Sequence, residues 1–217
     1  TVGFGSGNYK DTMMEQLADK GDGNYAYIDS DVQAKRVFQE QLSGMLEVIA
    51  RDVKIQVEFD PKVVKEYRLI GYENRDVADK DFRNDKVDAG EIGNGHSVTA
   101  IYDVVLKNTT ASPLVLRLRH KPALGGETAS ESAFPMDASA IASSFDGAPR
   151  DFRFAVAVAG FAEVLRQSPH ARDWAMMNIA KIADQAADSR ADQQEFVSLV
   201  HRAMRISGLQ QGPAVAQ

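Results

Sequence analysis

Four carboxylates in one polar stretch, Asp81, Asp85, Asp88 and Glu91, come nearest to a chemical constellation in this sequence. Paired carboxylates divide acid and base roles when their environments push their pKa values apart. Arg75 to Glu91 is hydrophilic, so the desolvation such a split needs is missing and the stretch reads as a solvated loop. A hydrolase built on these four groups is the alternative kept beside that reading.

Other candidates give way to simpler roles. His96, His120, His170 and His201 lie far apart, with no paired spacing on one helix, and read as surface or core residues. Asp29-Ser30-Asp31 and Asp19-Lys20-Gly21-Asp22-Gly23 resemble pieces of calcium loops, but lack the alternating acidic ligands and distal glutamate that a hard cation needs. Capping and turn formation account for both. Gly3, Gly5 and Gly7 stand between a strand and a helix, where a phosphate loop would sit. Asn8 occupies the third glycine position of the dinucleotide fingerprint and no Gly-Lys-Ser/Thr follows, so a structural turn is expected. Arg117, Arg119, His120 and Lys121 form a basic patch opposite Leu114, Leu116 and Leu118; alternation alone predicts a solvated strand face. No residue is left as a catalytic, cofactor-binding or metal-ligating candidate.

Elements that would position any site follow from periodicity. Val2 to Gly5 reads as a short strand, Asp11 or Thr12 caps a helix to about Lys20, and Tyr25 to Ile28 is a second strand. From Val32 to about Asp52 the apolar residues Phe38, Leu42, Met45, Leu46 and Ile49 fall at helical spacing. Strand, helix, strand, helix is the order of a parallel α/β sheet. After Val53 the period becomes two: Ile55, Val57 and Phe59 share one face, Lys54, Gln56 and Glu58 the other. Glu66 to Tyr72, Ser97 to Lys107 and Leu114 to Arg119 are further strands, with a short one near Ser132 to Met136. Antiparallel strands with one polar face suggest a small sandwich or a sheet covered on one side. Helices are expected from Asp151, over Arg172 to Ala187 and over Asp192 to Ile206, before a patternless tail from Gly208 that is expected to be disordered. The fold class is α+β, divided as 1–52, 53–145, 146–207 and 208–217. The helix from Asp151 carries Ala155, Ala157, Ala159 and Gly160 among its apolar residues, a pattern of close helix packing.

A net charge of -6 and a sequence pI near 5.3 give no global basic field for nucleic acid or anionic lipid. The absence of cysteine excludes disulfide scaffolds and thiolate chemistry. No apolar run approaches the roughly 20 residues that span a bilayer.

Several segments together resemble one bacterial family: Val2 to Tyr9, Asn24 to Asp29, Asp52 to Phe59, Tyr67 to Arg75, Asn84 to Gly93 and Asp151 to Ala155. They look like the C-terminal half of von Willebrand factor type A domain proteins that carry a conserved tail of unknown function. The resemblance implies that residues 1–52 close a Rossmann-like A domain and that the rest is the tail, a β domain followed by helices. It implies a non-enzymatic protein-interaction or scaffolding role in the bacterial cell envelope or periplasm. A purely structural or oligomerising role is the further alternative. No cofactor is expected in this chain, since the Mg or Ca site of A domains belongs to the upstream half. Asp137-Ala138-Ser139-Ala140-Ile141 is a near miss for that loop, with isoleucine at the last ligand position. An amputated sheet leaves its edge unpaired, so residues 1–52 are expected to associate with the β domain or another chain, or else with the upstream half as a separate fragment; the protein partner is unknown.

Overall fold

The structure is a computed structural model describing residues 1–4, 11–21, 23, 25–41, 47–71, 78–87, 89–171 and 174–206. It is α+β, and its chain forms two compact units that interleave in sequence. The first takes Thr1–Val64, Asn74–Thr99 and Thr110–Met136; the second takes Lys65–Glu73, Ala100–Thr109 and Asp137–Gln217.

In the first unit, β1 (Val2–Phe4) and β2 (Ala26–Ile28) pair in parallel, with Gly3 opposite Tyr27. Helix α1 (Asp11–Asp19) connects them. The Ser30 hydroxyl accepts the Gln33 N–H at 3.3 Å and caps α2 (Asp31–Lys35), as the Asp29-Ser30-Asp31 pattern predicts. The long helix expected to reach Asp52 does not form. A π-helical turn over Arg36–Gln41 ends the described helix, residues 42–46 lie outside the described residues, and β3 begins at Val48. Val48 and Ala50 pair with Gly93 and Ile92 of β5 (Ile92–Gly93), so sheet pairing overrides the helical spacing that reached Ile49.

β3 (Val48–Phe59) is the spine of a four-stranded antiparallel sheet in the order β5-β3-β7-β8, with β7 spanning Leu114–Pro122 and β8 Ser130–Pro135. Register places Ile55, Val57 and Phe59 opposite Leu118, Leu116 and Leu114, with Phe134 beside Leu116. The other face carries Lys54 opposite Arg119 and Gln56 opposite Arg117. Between Arg51 and Lys54 the strand holds one extra residue against β7, and Asp52 adopts a left-handed φ of 50°.

In the second unit, β4 (Val64–Ile70) and β6 (Ile101–Leu106) form their own two-stranded sheet. The expected Ser97 start of the latter strand is late by several residues; 97–100 are exposed and make no ladder. Helices α3 (Arg150–Leu165), α4 (Met176–Ala186) and α5 (Ala191–Ile206) surround a core of Ala157, Phe161, Ile179, Ala183 and Val200. Phe196 meets Phe154 and Phe161 edge-on at 5.3 and 5.6 Å between centroids. Gly160 is buried against the Trp174 indole: a Cβ there would collide with the six-membered ring, so a close approach requires glycine. α4 starts at Met176; Arg172 and the tail from Gly208 lie outside the described residues.

Candidate functional site

The polar face of the sheet begins with a conflict written into its register. Lys54 and Arg119 are cross-strand neighbours of like charge, an arrangement that is unfavourable when bare. The loop after Ala78 resolves it. A 3-10 turn, Asp79–Asp81, lays the loop over the strands. Lys54 is 4% exposed, and its Nζ donates to the backbone carbonyls of Asn84 at 2.6 Å and Asp81 at 3.4 Å. Asn84 accepts from the Lys86 N–H through its side chain and donates to Asp81, so one ammonium organises the turn. A buried ammonium is tolerable only with such acceptors in place.

Around it the charges alternate. Arg119 grips Asp85 Oδ1 through Nη2 at 2.7 Å and Nε at 3.2 Å. Lys121 meets Asp52 at 2.7 Å, Glu127 at 3.2 Å and the Asp85 carbonyl at 3.2 Å. The bulge turns Asp52 into this position, where its second oxygen accepts the Ala89 N–H. Glu131 receives a two-pronged contact from Arg83 at 2.8 and 2.9 Å, and Arg117 bridges Glu58 and Glu131. The Arg119 hydrogen bond holds the Asp85 carboxyl below its ordinary value, and the Arg83 hydrogen bond does the same for Glu131. The Asp52 hydrogen bond, opposed by desolvation and reinforced by Glu127, holds Lys121 above the ordinary lysine value.

Two expectations are corrected here. The basic strand face is not simply solvated: Arg117, Arg119 and Lys121 are partly or largely buried and ion-paired, Arg117 with Glu58 and Glu131 of the neighbouring strands, Arg119 with Asp85 of the loop and Lys121 with Asp52 and Glu127. His120 does not belong with them. Strand alternation turns it to the opposite side, where it faces Ser130 across β8. The loop carboxylates are likewise engaged rather than free in solvent. Asp85 pairs with Arg119, Asp81 accepts from Asn84, Glu91 is half-buried, and Asp88 lies outside the described residues.

The remaining candidates are dispersed. Gly3 is buried in β1, while Gly5, Gly7, Asn8 and Asp22 lie outside the described residues. The N–H groups of Gly21 and Gly23 close the end of α1 on the Ala18 carbonyl. Asp137 caps the 3-10 turn Ala138–Ala140 by accepting the Ser139 N–H at 2.7 Å. His96 and His170 sit in exposed turns, and His201 of α5 meets Asp184 of α4 at 2.9 Å. Among the described residues, no group of three His, Asp or Glu side chains is placed to hold a metal.

Sequence reasoning missed a second charged centre, in the helical unit. Glu163 of α3 is 1% exposed, yet accepts from Arg68 of β4 at 3.1 Å, Arg166 at 2.7 Å and Ser168 at 3.0 Å. Burial pushes its carboxyl up; the bonds from Ser168, Arg166 and Arg68 outweigh this and leave it below the usual glutamate value. The visible signal was a glutamate spaced three residues from Arg166 inside an apolar helix.

Apolar surface is left open at the start of the chain. Phe4 is 62% exposed, Leu17 59% and Val32 77%, all next to the two-stranded parallel pair. Parallel sheets are normally covered on both faces.

A mixed α+β chain whose antiparallel sheet is roofed by a charged loop and whose C-terminal part is helical defines the class. The chain belongs to the family described as "Uncharacterized protein YfbK, C-terminal", whose model matches residues 44–114 and 107–206. It is 34% identical, over an alignment of 229 residues, to the "Uncharacterized protein YfbK" of Escherichia coli (strain K12), covering 97% of this chain. The chain spans 40% of that relative's length. No solved structure matches. Among the described residues, no helix is long and apolar enough to cross a membrane.

Proposed function

We propose that this chain is a non-enzymatic protein-interaction or scaffolding module of the bacterial cell envelope, the tail region of a von Willebrand factor A protein. One observation carries the proposal: a parallel strand pair whose flanking residues Phe4, Leu17 and Val32 stay exposed. Among the described residues the pair is flanked by α1 and α2, and the apolar side chains left exposed there suit further elements from another segment or chain. In this reading residues 1–52 close an A domain, and the salt-bridged sheet and helices support it. The state of the charged residues is consistent with a structural role, since ion pairs that hold Asp85 and Glu131 ionised make them poor proton donors near neutral pH.

The test is a pull-down from envelope extracts with this chain alone and with the upstream region of the longer relative attached, each in divalent metal and in chelator. Metal-dependent capture only with the upstream region supports a supporting role for the tail. Capture by the tail alone, indifferent to chelator, moves the binding surface into this chain. Turnover of a chromogenic ester or glycoside, abolished by Asp85→Asn, refutes the non-enzymatic reading.

A further inference from the structure

Helix α3 is largely apolar, its charges limited to Arg150, Asp151, Arg153 and Glu163. One side packs into the helical core through Ala157, Phe161 and Gly160. The other side stays open: Phe152 is 49% exposed, Val158 40% and Leu165 59%. Between these large residues run Ala155, Ala159 and Ala162, and the stripe is bounded by Asp151 and Arg166.

The stripe is complementary to itself when one copy is reversed. Turning α3 end for end about a point between Val158 and Ala159 brings Phe152 level with Leu165, Ala155 with Ala162 and Val158 with Ala159. The same operation brings Asp151 level with Arg166 at both ends. Val158 then meets the small Ala159, Phe152 and Leu165 form an apolar pair at each end, and the alanines on the midline permit close approach. The terminal charges attract rather than repel. In a parallel arrangement Asp151 would face Asp151 and Arg166 would face Arg166. Asp151 and Arg166 keep their bonds to Arg190 and Glu163, and their side chains are still 79% and 46% exposed.

We propose that the open face of α3 binds the same face of a second copy of this chain, in an isologous antiparallel contact centred between Val158 and Ala159. Such a contact is the simplest closed solution for a self-complementary surface. It is separate from the strand edge of residues 1–52, so each can fail without the other.

The chain has no cysteine, which makes single-cysteine cross-linking clean. Mixed Ala155→Cys and Ala162→Cys copies are expected to form a disulfide dimer under mild oxidation, while Ala155→Cys alone is not. Lys181→Cys, exposed on α4, is the control and stays monomeric. Sedimentation velocity of the unmodified chain should show a concentration-dependent dimer, weakened at least about tenfold by Val158→Glu, through the unpaired charge it would bury. Trp174 fluorescence must show that this variant is folded; if it is not, Asp151→Lys replaces it, and is expected to weaken the dimer through charge repulsion. A chain that stays monomeric at all concentrations overturns the proposal. So does self-cross-linking of Ala155→Cys without Ala162→Cys, which marks a parallel contact. Protection of Leu165 and Phe152 only when the rest of the longer relative's chain is attached overturns it too, by assigning the face to another occupant.

Discussion

Replacing Glu163 tests whether a buried charge holds the helical unit together. The side chain is 1% exposed and accepts three hydrogen bonds, two of them from guanidinium groups. Removing one partner of a fully buried ion pair costs about 3–5 kcal/mol, because the survivor is stranded. Here Arg68 is 26% exposed and Arg166 46%, so both regain water when the carboxylate goes. Glu163→Ala is therefore expected to cost about 2–3 kcal/mol, at or below the low end of that range. Glu163→Gln keeps the shape and should cost less. The assay is urea unfolding followed by tryptophan fluorescence, since Trp174 is the sole tryptophan and lies against Gly160 of α3. The pH dependence supplies a second check. A carboxyl whose folded pKa is depressed stabilises above its unfolded value of about 4.3, and this contribution disappears as pH falls through the folded pKa. The gap between wild type and Glu163→Gln should thus be full at pH 7 and close in strong acid. A loss below about 0.5 kcal/mol for Glu163→Ala, or a gap that widens in acid, refutes the reasoning.

Gly160→Ala gains helix propensity of about 1 kcal/mol but drives a methyl into the Trp174 ring, so a net destabilisation and a shifted emission maximum are expected on thermal unfolding. Lys54→Met leaves the Asn84 and Asp81 carbonyls without their ammonium; a cost of about 1–3 kcal/mol to the loop should appear as faster amide exchange at Asn84 and Val87. The ion-paired sheet face should loosen at both pH extremes. Asp85 and Glu131 contribute above about pH 4 and are lost in acid, whereas Lys121, held above its ordinary pKa, contributes until pH rises past that raised value. Amide exchange of residues 79–87 across pH 3–11 checks both signs.

Much of the framework was legible because it rests on local periodicity. The two-residue period from Lys54 to Phe59 gave the correct faces of β3, and the Ser30 cap was visible in three letters. The failure at Val32–Asp52 has a physical cause: Ile49 satisfied a helical spacing, but its flanking residues Val48 and Ala50 pair with β5, more than forty residues away. Long-range pairing leaves no local mark. The charged face was misjudged for a related reason. Alternation shows which side a lysine takes but not what lies above it, and Lys54, Arg119 and Asp85 come together only in the folded chain. The like-charged pair Lys54 and Arg119 was readable once register was known, and it called for an acidic cover. Glu163 was hidden by its setting, since an isolated glutamate in an apolar helix gives no hint that Arg68 of β4 will reach it.

The interleaving of the two units has a consequence for anyone who cuts this gene. The backbone passes from one unit to the other after Val64, Glu73, Thr99, Thr109 and Met136. No single pair of termini can therefore excise either half intact, and a nested deletion removes stabilising partners from both. Contacts between distant stretches of sequence must form before either half is complete, which makes for slow, cooperative assembly. Dissection by point substitution will be more informative than dissection by truncation.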